Sequence, residues 1–299
     1  MDVSRSTRIG IMTGLAAYGL WGLIPLYFKL LEGVSPFAVV GHRVIWSMLL
    51  LGIALWWMGA MPKLRAALAD QKTRRTLFLS AFLIALNWVV YVYGIVSDRV
   101  LATSLGYYLN PIANILMGRF ILGEKLGRLQ WAAVAIAALG ISALLKGALD
   151  SLWITLTLCV SFATYGLLRK QVKTDSVTGL TVETLILFPI ALIGIALASL
   201  MAPTPTVHGQ GIQIWLLVAS GLVSTVPLLL FTESARRLRY STVGMLQFLA
   251  PTLQFLLAIF LFREPFGEAK AIAFACIWTA IALYVAGLVM ERRSRESEA

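Results

Sequence analysis

Three observations predict an all-α polytopic membrane protein of ten transmembrane helices, arranged as two inverted five-helix repeats. The first is composition: 59% of the 299 residues are hydrophobic and 13% are charged, against about 25% charged in an average soluble domain. A soluble fold of this chain would lack polar groups to cover its surface. The second is run length. Apolar residues come in stretches of about 20, which at 1.5 Å per residue cross a ~30 Å hydrocarbon core, whereas a membrane β-barrel would show alternating ~10-residue segments. The third is internal spacing. Residues 104–130 (SLGYYLNPIANILMGRFILGEKLGRLQ) and 244–270 (GMLQFLAPTLQFLLAIFLFREPFGEAK) share one frame, in which Pro111 aligns with Pro251 and Glu124 with Glu264 at a single constant offset. The same offset pairs Asn87 with Pro227 and Arg99 with Arg239. A fixed spacing over so long a span marks a repeat.

Taken in order, the spans are expected near 9–31, 36–58, 76–96, 101–122 and 129–146, then 151–170, 179–201, 212–235, 242–262 and 269–290. The first repeat is thus 9–146 and the second 151–290, with 291–299 a charged, frayed cytoplasmic tail. Arg5 and Arg8 precede an apolar run too long for the 7–15-residue core of a cleaved signal peptide, so the first span stays in the membrane. The longest connection, 59–75, is basic, and 202–211 (APTPTVHGQG) has turn composition. Short connections make consecutive helices antiparallel neighbours.

Charge fixes the orientation. With the N-terminus in the cytoplasm, 19 of the 25 Lys and Arg fall inside and four (Arg99, Lys146, Arg263, Lys270) outside, while Lys29 and Arg43 lie within spans. Positive loops face the cytoplasm, which places both termini there. The net charge of +11 is read as this topology signal and not as a nucleic-acid surface. Five spans per copy is an odd number, so the second copy enters the bilayer upside down. Inverted repeats are the architecture of alternating-access carriers, whose substrate site lies near the midplane between the copies.

Ionisable groups inside spans are costly and mark functional candidates. Arg43 sits seven residues into the second span, about 10 Å from its end. It is permanently charged, has no acidic residue one turn away, and can grip a carboxylate through two parallel hydrogen bonds. An Arg that reaches the interface or bonds helix carbonyls is the structural alternative. Glu183 is the candidate for proton coupling, although its place near a span end also suits snorkelling. Glu233 precedes Arg236 and Arg237 by three and four residues, the spacing of a local helix pair.

Polar side chains at helical spacing add candidate substrate contacts: Asn87 and Tyr91 on the third span, Tyr107, Asn110 and Asn114 on the fourth, Gln247 and Gln254 on the ninth. Plain interhelical hydrogen bonding is the other use of such residues. Pro111 and Pro251 each free a carbonyl in a core helix and are candidate hinges. Trp21, Tyr27, Trp88 and Tyr108 can line a cavity or sit at the lipid interface. Gly10 with Gly14, and Ala271 with Ala275 and Thr279, recur every four positions as in close-packed membrane helices or a dimer contact. Catalytic and metal residues are not expected. Cys159 and Cys276 lack ligand spacing, the two His lie far apart, and in the loop-like run 118–125 Glu124 stands where a phosphate loop needs Lys. No cofactor is expected.

These residues resemble the EamA family of the drug/metabolite transporter superfamily. NWVVYVYG (87–94), SLGYYLNPIANILMG (104–118) and LGEKLGRLQW (122–131) are similar to its RarD branch, the chloramphenicol-sensitive protein type. HRVIWS (42–47), TVPLLLFTESARRLR (225–239) and FLAPTLQFLLAIF (248–260) agree. The resemblance spans nearly the whole chain. It implies a multi-pass permease of the bacterial inner membrane with ten helices, inverted repeats, a central cavity and efflux as the default direction. The combined expectation is transport of a small organic metabolite or drug-like solute, anionic or zwitterionic, by a monomer or homodimer among membrane lipids. A lipid translocase or passive channel is the alternative, and a membrane-embedded enzyme is a third class.

Overall fold

The computed structural model describes residues 3–97, 99–145, 149–201, 211–261, 263 and 267–297. Residues 202–210, where a turn is expected, and Lys146 and Glu264 lie outside them. Among the described residues the secondary structure is helical throughout, without strands. The first copy contains α1 (Val3–Leu30), α2 (Pro36–Trp57), a short α3 (Met61–Ala69), α4 (Gln71–Val96), α5 (Val100–Phe120) and α6 (Arg128–Leu145). The second contains α7 (Leu152–Gln171), α8 (Ser176–Met201), α9 (Ile212–Arg237), α10 (Tyr240–Gln247), α11 (Leu249–Leu256) and α12 (Glu268–Ser297). Eight stretches among the described residues are long and apolar enough to cross a membrane; α5 and the shorter α6 are not among them. The outward surface is apolar, with Leu49, Ile53, Trp56, Phe82, Leu139 and Leu222 all exposed, as lipid contact requires.

Local chemistry explains the ends. Pro36 opens α2, where its missing N–H costs no bond. Asp70 accepts the backbone N–H of Thr73 at 2.8 Å and so starts α4 five residues ahead of the expected span. The basic connection is therefore mostly helical. Pro251 deprives the Gln247 carbonyl of its helical partner, and the ninth span breaks at Phe248 into α10 and α11 before a π-turn at Leu257–Leu261. Pro111, in contrast, sits inside an unbroken α5. The expected frayed tail is instead helical to Ser297, and Glu291 within it pairs with Arg239 at 3.5 Å.

The helix starts repeat at the offset that relates Pro111 to Pro251. Pro36 and Ser176 open α2 and α8, Val100 and Tyr240 open α5 and α10, and Arg128 and Glu268 open α6 and α12. Two backbone oddities follow the same offset: Gly123 after α5 has φ +69° and Arg263, at the same place in the second copy, has φ 54°.

One expectation fails here. Consecutive helices are not the main neighbours; the large contacts run between copies, α6 on α12, α1 on α9, α2 on α8 and α9, α4 on α7, and α5 on α7 and α10. Small residues make those crossings close. At Gly140 an added Cβ would meet Cys276 Cβ at 2.4 Å, and at Gly244 it would meet the Pro111 carbonyl oxygen at 2.6 Å. Membrane helices associate through such van der Waals fit because no hydrophobic drive separates helix from lipid. Gly14 likewise packs on Ser234 and Leu246, whereas Ala275 and Thr279 of α12 are exposed.

One end of the bundle gathers the start of α1, α3, the α5–α6 connection, the ends of α7 and α9, and the start of α10. Arg237 donates to Ser6 Oγ at 3.5 Å, Lys170 donates to the Ala235 carbonyl at 2.9 Å, and Lys63, Lys173 and Arg236 line a shared cleft of 620 Å³.

Candidate functional site

Arg43 stands seven residues inside α2, and Glu183 seven residues inside α8. The repeat offset carries one onto the other, so they are counterparts in the two copies. Their surroundings differ completely.

Arg43 is half-buried. Its Nε donates to Ser224 Oγ of α9 at 2.6 Å, and its guanidinium carbon lies 5.1 Å from the Trp88 ring centroid. Tyr27, Tyr91 and Tyr107 lie within electrostatic reach. Among the described residues no carboxylate pairs with it. The Tyr91 and Tyr107 rings meet edge-on at 5.7 Å, and Phe162 stands 6.5 Å beyond Tyr107. Trp21 continues this wall, edge-on to Phe162 at 5.8 Å. The result is one cation, held by a single hydroxyl and an aromatic face, beside tyrosines from three other helices. A guanidinium so placed retains N–H donors in a fork that matches a carboxylate or phosphate.

Glu183 is the opposite case. At 1% exposed it accepts a hydrogen bond from Ser80, another from Tyr165 at 3.3 Å, and lies 3.6 Å from Arg169 Nε. Arg169, counted from sequence as a cytoplasmic topology residue, is fully buried and donates to the Ser176 carbonyl at 3.2 Å. Glu183 does not snorkel; it is half of a buried ion pair. The pairing of Glu233 with Arg237 follows the helix spacing, at 2.6 Å, and Ser176 adds a hydroxyl at 2.9 Å.

The polar helix faces divide by burial. Asn87 is sealed at 1% exposed: its amide donates to the Leu158 carbonyl at 2.9 Å and Ser161 Oγ at 3.0 Å, and its oxygen accepts Tyr107 OH at 3.0 Å. It therefore positions Tyr107 and ties α4, α5 and α7 together. Asn114 donates to Gln247 Oε1 at 2.7 Å, both side chains buried, and joins α5 to α10. Asn110, one turn earlier on α5, is wholly buried, with neither amide atom hydrogen-bonded. Gln254 is half-buried and donates to the Trp21 carbonyl at 3.1 Å. Only Tyr91 and Tyr107 among the polar candidates are brought to Arg43. Ser224, its partner, escaped sequence reasoning because a serine in an apolar helix gives no signal. The shared offset of Arg43 and Glu183 was a usable one.

The described residues hold no group of His, Cys, Asp and Glu placed to bind a metal. The 620 Å³ cleft at the basic end has its two carboxylates committed to helix starts, Asp70 to Thr73 and Asp175 to Thr178.

The EamA-like transporter family model matches residues 8–146 and again 151–286. The chain is 40% identical to Protein RarD of Salmonella typhimurium, covering 98% of this chain and 99% of that one. It is 39% identical to an uncharacterized transporter of Vibrio cholerae over 94% and 93%, and 30% identical to the chloramphenicol-sensitive protein RarD of Pseudomonas aeruginosa over 93% and 94%. A solved crystal structure superposes with a TM-score of 0.69 at 20% identity, covering 92% of this chain and 96% of the other, a likeness of fold. Two family units in one chain, an apolar helical bundle and full-length relatives named as transporters agree: this is a multi-pass transporter of the bacterial inner membrane, and it belongs to the EamA-like family of the drug/metabolite transporter type.

Proposed function

We propose that this protein is an alternating-access carrier that exports a small organic anion, with Arg43 gripping its carboxylate. The observation that carries the reading is the state of Arg43: well inside α2, half-buried against Trp88, Tyr91 and Tyr107, and without a carboxylate partner among the described residues. A cation at that depth is costly unless something neutralises it, and a transported anion does so while bound. The same surroundings favour an anion over a zwitterion. Of the acids in the helices nearby, Glu183 is held by Arg169 and Glu233 by Arg237, leaving an ammonium only aromatic faces.

The carrier reading rests on two inverted copies, 9–146 and 151–290, crossing the membrane ten times with the basic end and both termini in the cytoplasm. Helix starts that recur at the repeat offset, and contacts that run mainly between copies, support it. Opening and closing then pivots about the core helices near Pro111 and Pro251. Tyr91 and Tyr107 contact the solute, Asn87 positions Tyr107, and Asn114, Gln247 and Gln254 join the helices that move, with Asn110 buried on the same helix as Asn114. Glu183 serves the fold through Arg169.

Counterflow tests this reading. Proteoliposomes carrying the protein are preloaded with unlabelled members of a panel of small organic carboxylates, and uptake of the labelled compound is followed. Faster uptake into preloaded than into empty vesicles is the expected result for at least one carboxylate, with loss of the effect in Arg43→Gln. Equal rates with and without preloading would mark a channel, and acceleration only by uncharged or cationic solutes would remove the anion assignment.

A further inference from the structure

Three separate segments build the cleft at the basic end of the bundle. On α3, Lys63, Ala66, Ala67 and Asp70 recur at helical spacing and so share one face. Ala67, with Leu64 and Leu68, packs in one cluster with Leu77, Val172 and Val182, which fixes α3 against α4 and α8. The cleft of 620 Å³ lies between that face, the turn joining α7 to α8 and the end of α9. Each segment contributes one cation to its lining: Lys63 from α3, Lys173 from the turn and Arg236 from α9. The small side chains of Ala66 and Ala67 leave room between them.

The charges favour an anion. Lys63, Lys173 and Arg236 are exposed, and among the described residues none is paired with a carboxylate. Asp70 and Asp175 also line the cleft, but both are bonded at helix starts, Asp70 to Thr73 and Asp175 to Thr178. Lys72 stands within electrostatic reach of Asp70 and adds a further cation, so the balance is positive. Depth names the kind of anion. Trp56 and Trp57 end α2 shortly before Lys63 and are 73% and 82% exposed; outward indoles sit at the headgroup level of a bilayer. Lipid phosphates lie at that level, and basic pockets between membrane helices bind them. Two ammonium groups supply point charges, and a guanidinium supplies a fork for phosphate oxygens. We propose that this cleft binds the phosphate group of an anionic membrane phospholipid, held by Lys63, Lys173 and Arg236. A lipid so held bridges α3, the α7–α8 turn and the end of α9. The site is separate from Arg43 and does not depend on what solute is carried.

The test titrates the purified, delipidated full chain in neutral detergent with phosphatidylglycerol and with phosphatidylcholine of the same acyl chains. Lipid adducts are read by native mass spectrometry. Phosphatidylglycerol is expected to bind the more tightly. Lys63→Gln, Lys173→Gln and Arg236→Gln are each expected to weaken its binding by about fivefold, and the three together by on the order of a hundredfold. As a control, Arg119→Gln, Lys125→Gln and Arg128→Gln combined remove as much charge around the α5–α6 connection, outside the lining. That variant is expected to bind nearly as well as the unaltered chain, since exposed charges more than about 8 Å apart are largely screened at physiological salt. Equal losses in the two triple variants would mean diffuse surface attraction and overturn the site, as would equal binding of the two lipids. Glycerol 3-phosphate supplies the same phosphate chemistry without acyl chains and is expected not to displace the lipid. Displacement by it, lost in the cleft variant, would assign the cleft to a soluble phosphate ester and overturn the lipid.

Discussion

Arg43 and Glu183 occupy the same place in two copies of one design and meet opposite fates. Each stands seven residues into its helix, α2 or α8. Glu183 is enclosed by Ser80, Tyr165 and Arg169 and is 1% exposed. Arg43 has a serine, an indole face and no carboxylate among the described residues. The repeat thus supplies a symmetric frame, while the chemistry is asymmetric: one charge holds helices together, and the other is the one we propose a ligand neutralises.

The sharpest way to break this comparison is to remove each charge in turn. Glu183→Gln leaves Arg169 buried and uncompensated, and loss of one partner of a buried pair costs about 3–5 kcal/mol. A fall in thermal stability is expected, partly reversed by adding Arg169→Gln. Next comes the close crossing that the two copies share. Gly244→Ala places a methyl against the Pro111 carbonyl, a backbone atom that cannot swing away, and overpacking of this kind costs about 1–3 kcal/mol, read as a lower unfolding midpoint in detergent.

Smaller effects sharpen the comparison. The Asp175 carboxylate, which caps α8, is raised by burial but more than compensated by the backbone N–H and hydroxyl of Thr178, so its pKa lies below the ordinary value. Its contribution is therefore present above the unfolded carboxylate pKa of about 4 and is lost as pH falls through the lower folded value. Asp175→Ala is expected to cost about 1 kcal/mol at neutral pH and to flatten that acid dependence, as measured by melting curves across pH. The two left-handed residues differ similarly. Gly123 fits its φ of +69°, but Arg263 at φ 54° bears a side-chain clash. Arg263→Gly is expected to stabilise by roughly 0.5–1 kcal/mol, whereas Gly123→Ala destabilises. Arg43→Gln stands at the bottom of the stability scale, below about 1 kcal/mol, since a single hydrogen bond and a ring contact are lost.

Much of this frame was legible in the chain. Composition and run length gave the membrane class, and the matched spacing of Pro111 with Pro251 and Glu124 with Glu264 gave the repeat, because both follow from local sequence. The neighbours were not legible. Short connections pointed to consecutive packing, yet α6 meets α12 and α2 meets α8, since fit at Gly140 and similar positions is decided by surfaces far apart in sequence. The site was half legible. Arg43 stood out by depth, and Tyr91 and Tyr107 do join it. Asn87, Asn114 and Gln247 carried the same helical spacing but bond to other helices, because spacing reports a shared face and not what that face meets. Arg169 looked like a loop cation until Glu183 was placed beside it.

What matters most is whether the charge of Arg43 is available to a solute. The direct measurement is the melting temperature of the purified protein and of Arg43→Gln against a panel of organic anions, zwitterions and neutral isosteres. A ligand that binds only the folded form stabilises it by about 2.7 kcal/mol at a hundred times its dissociation constant. The proposed role of Arg43 predicts that one or more anions raise the melting temperature, that their neutral isosteres do not, and that Arg43→Gln, nearly as stable alone, loses the response. Stabilisation by anions that survives in Arg43→Gln would contradict it.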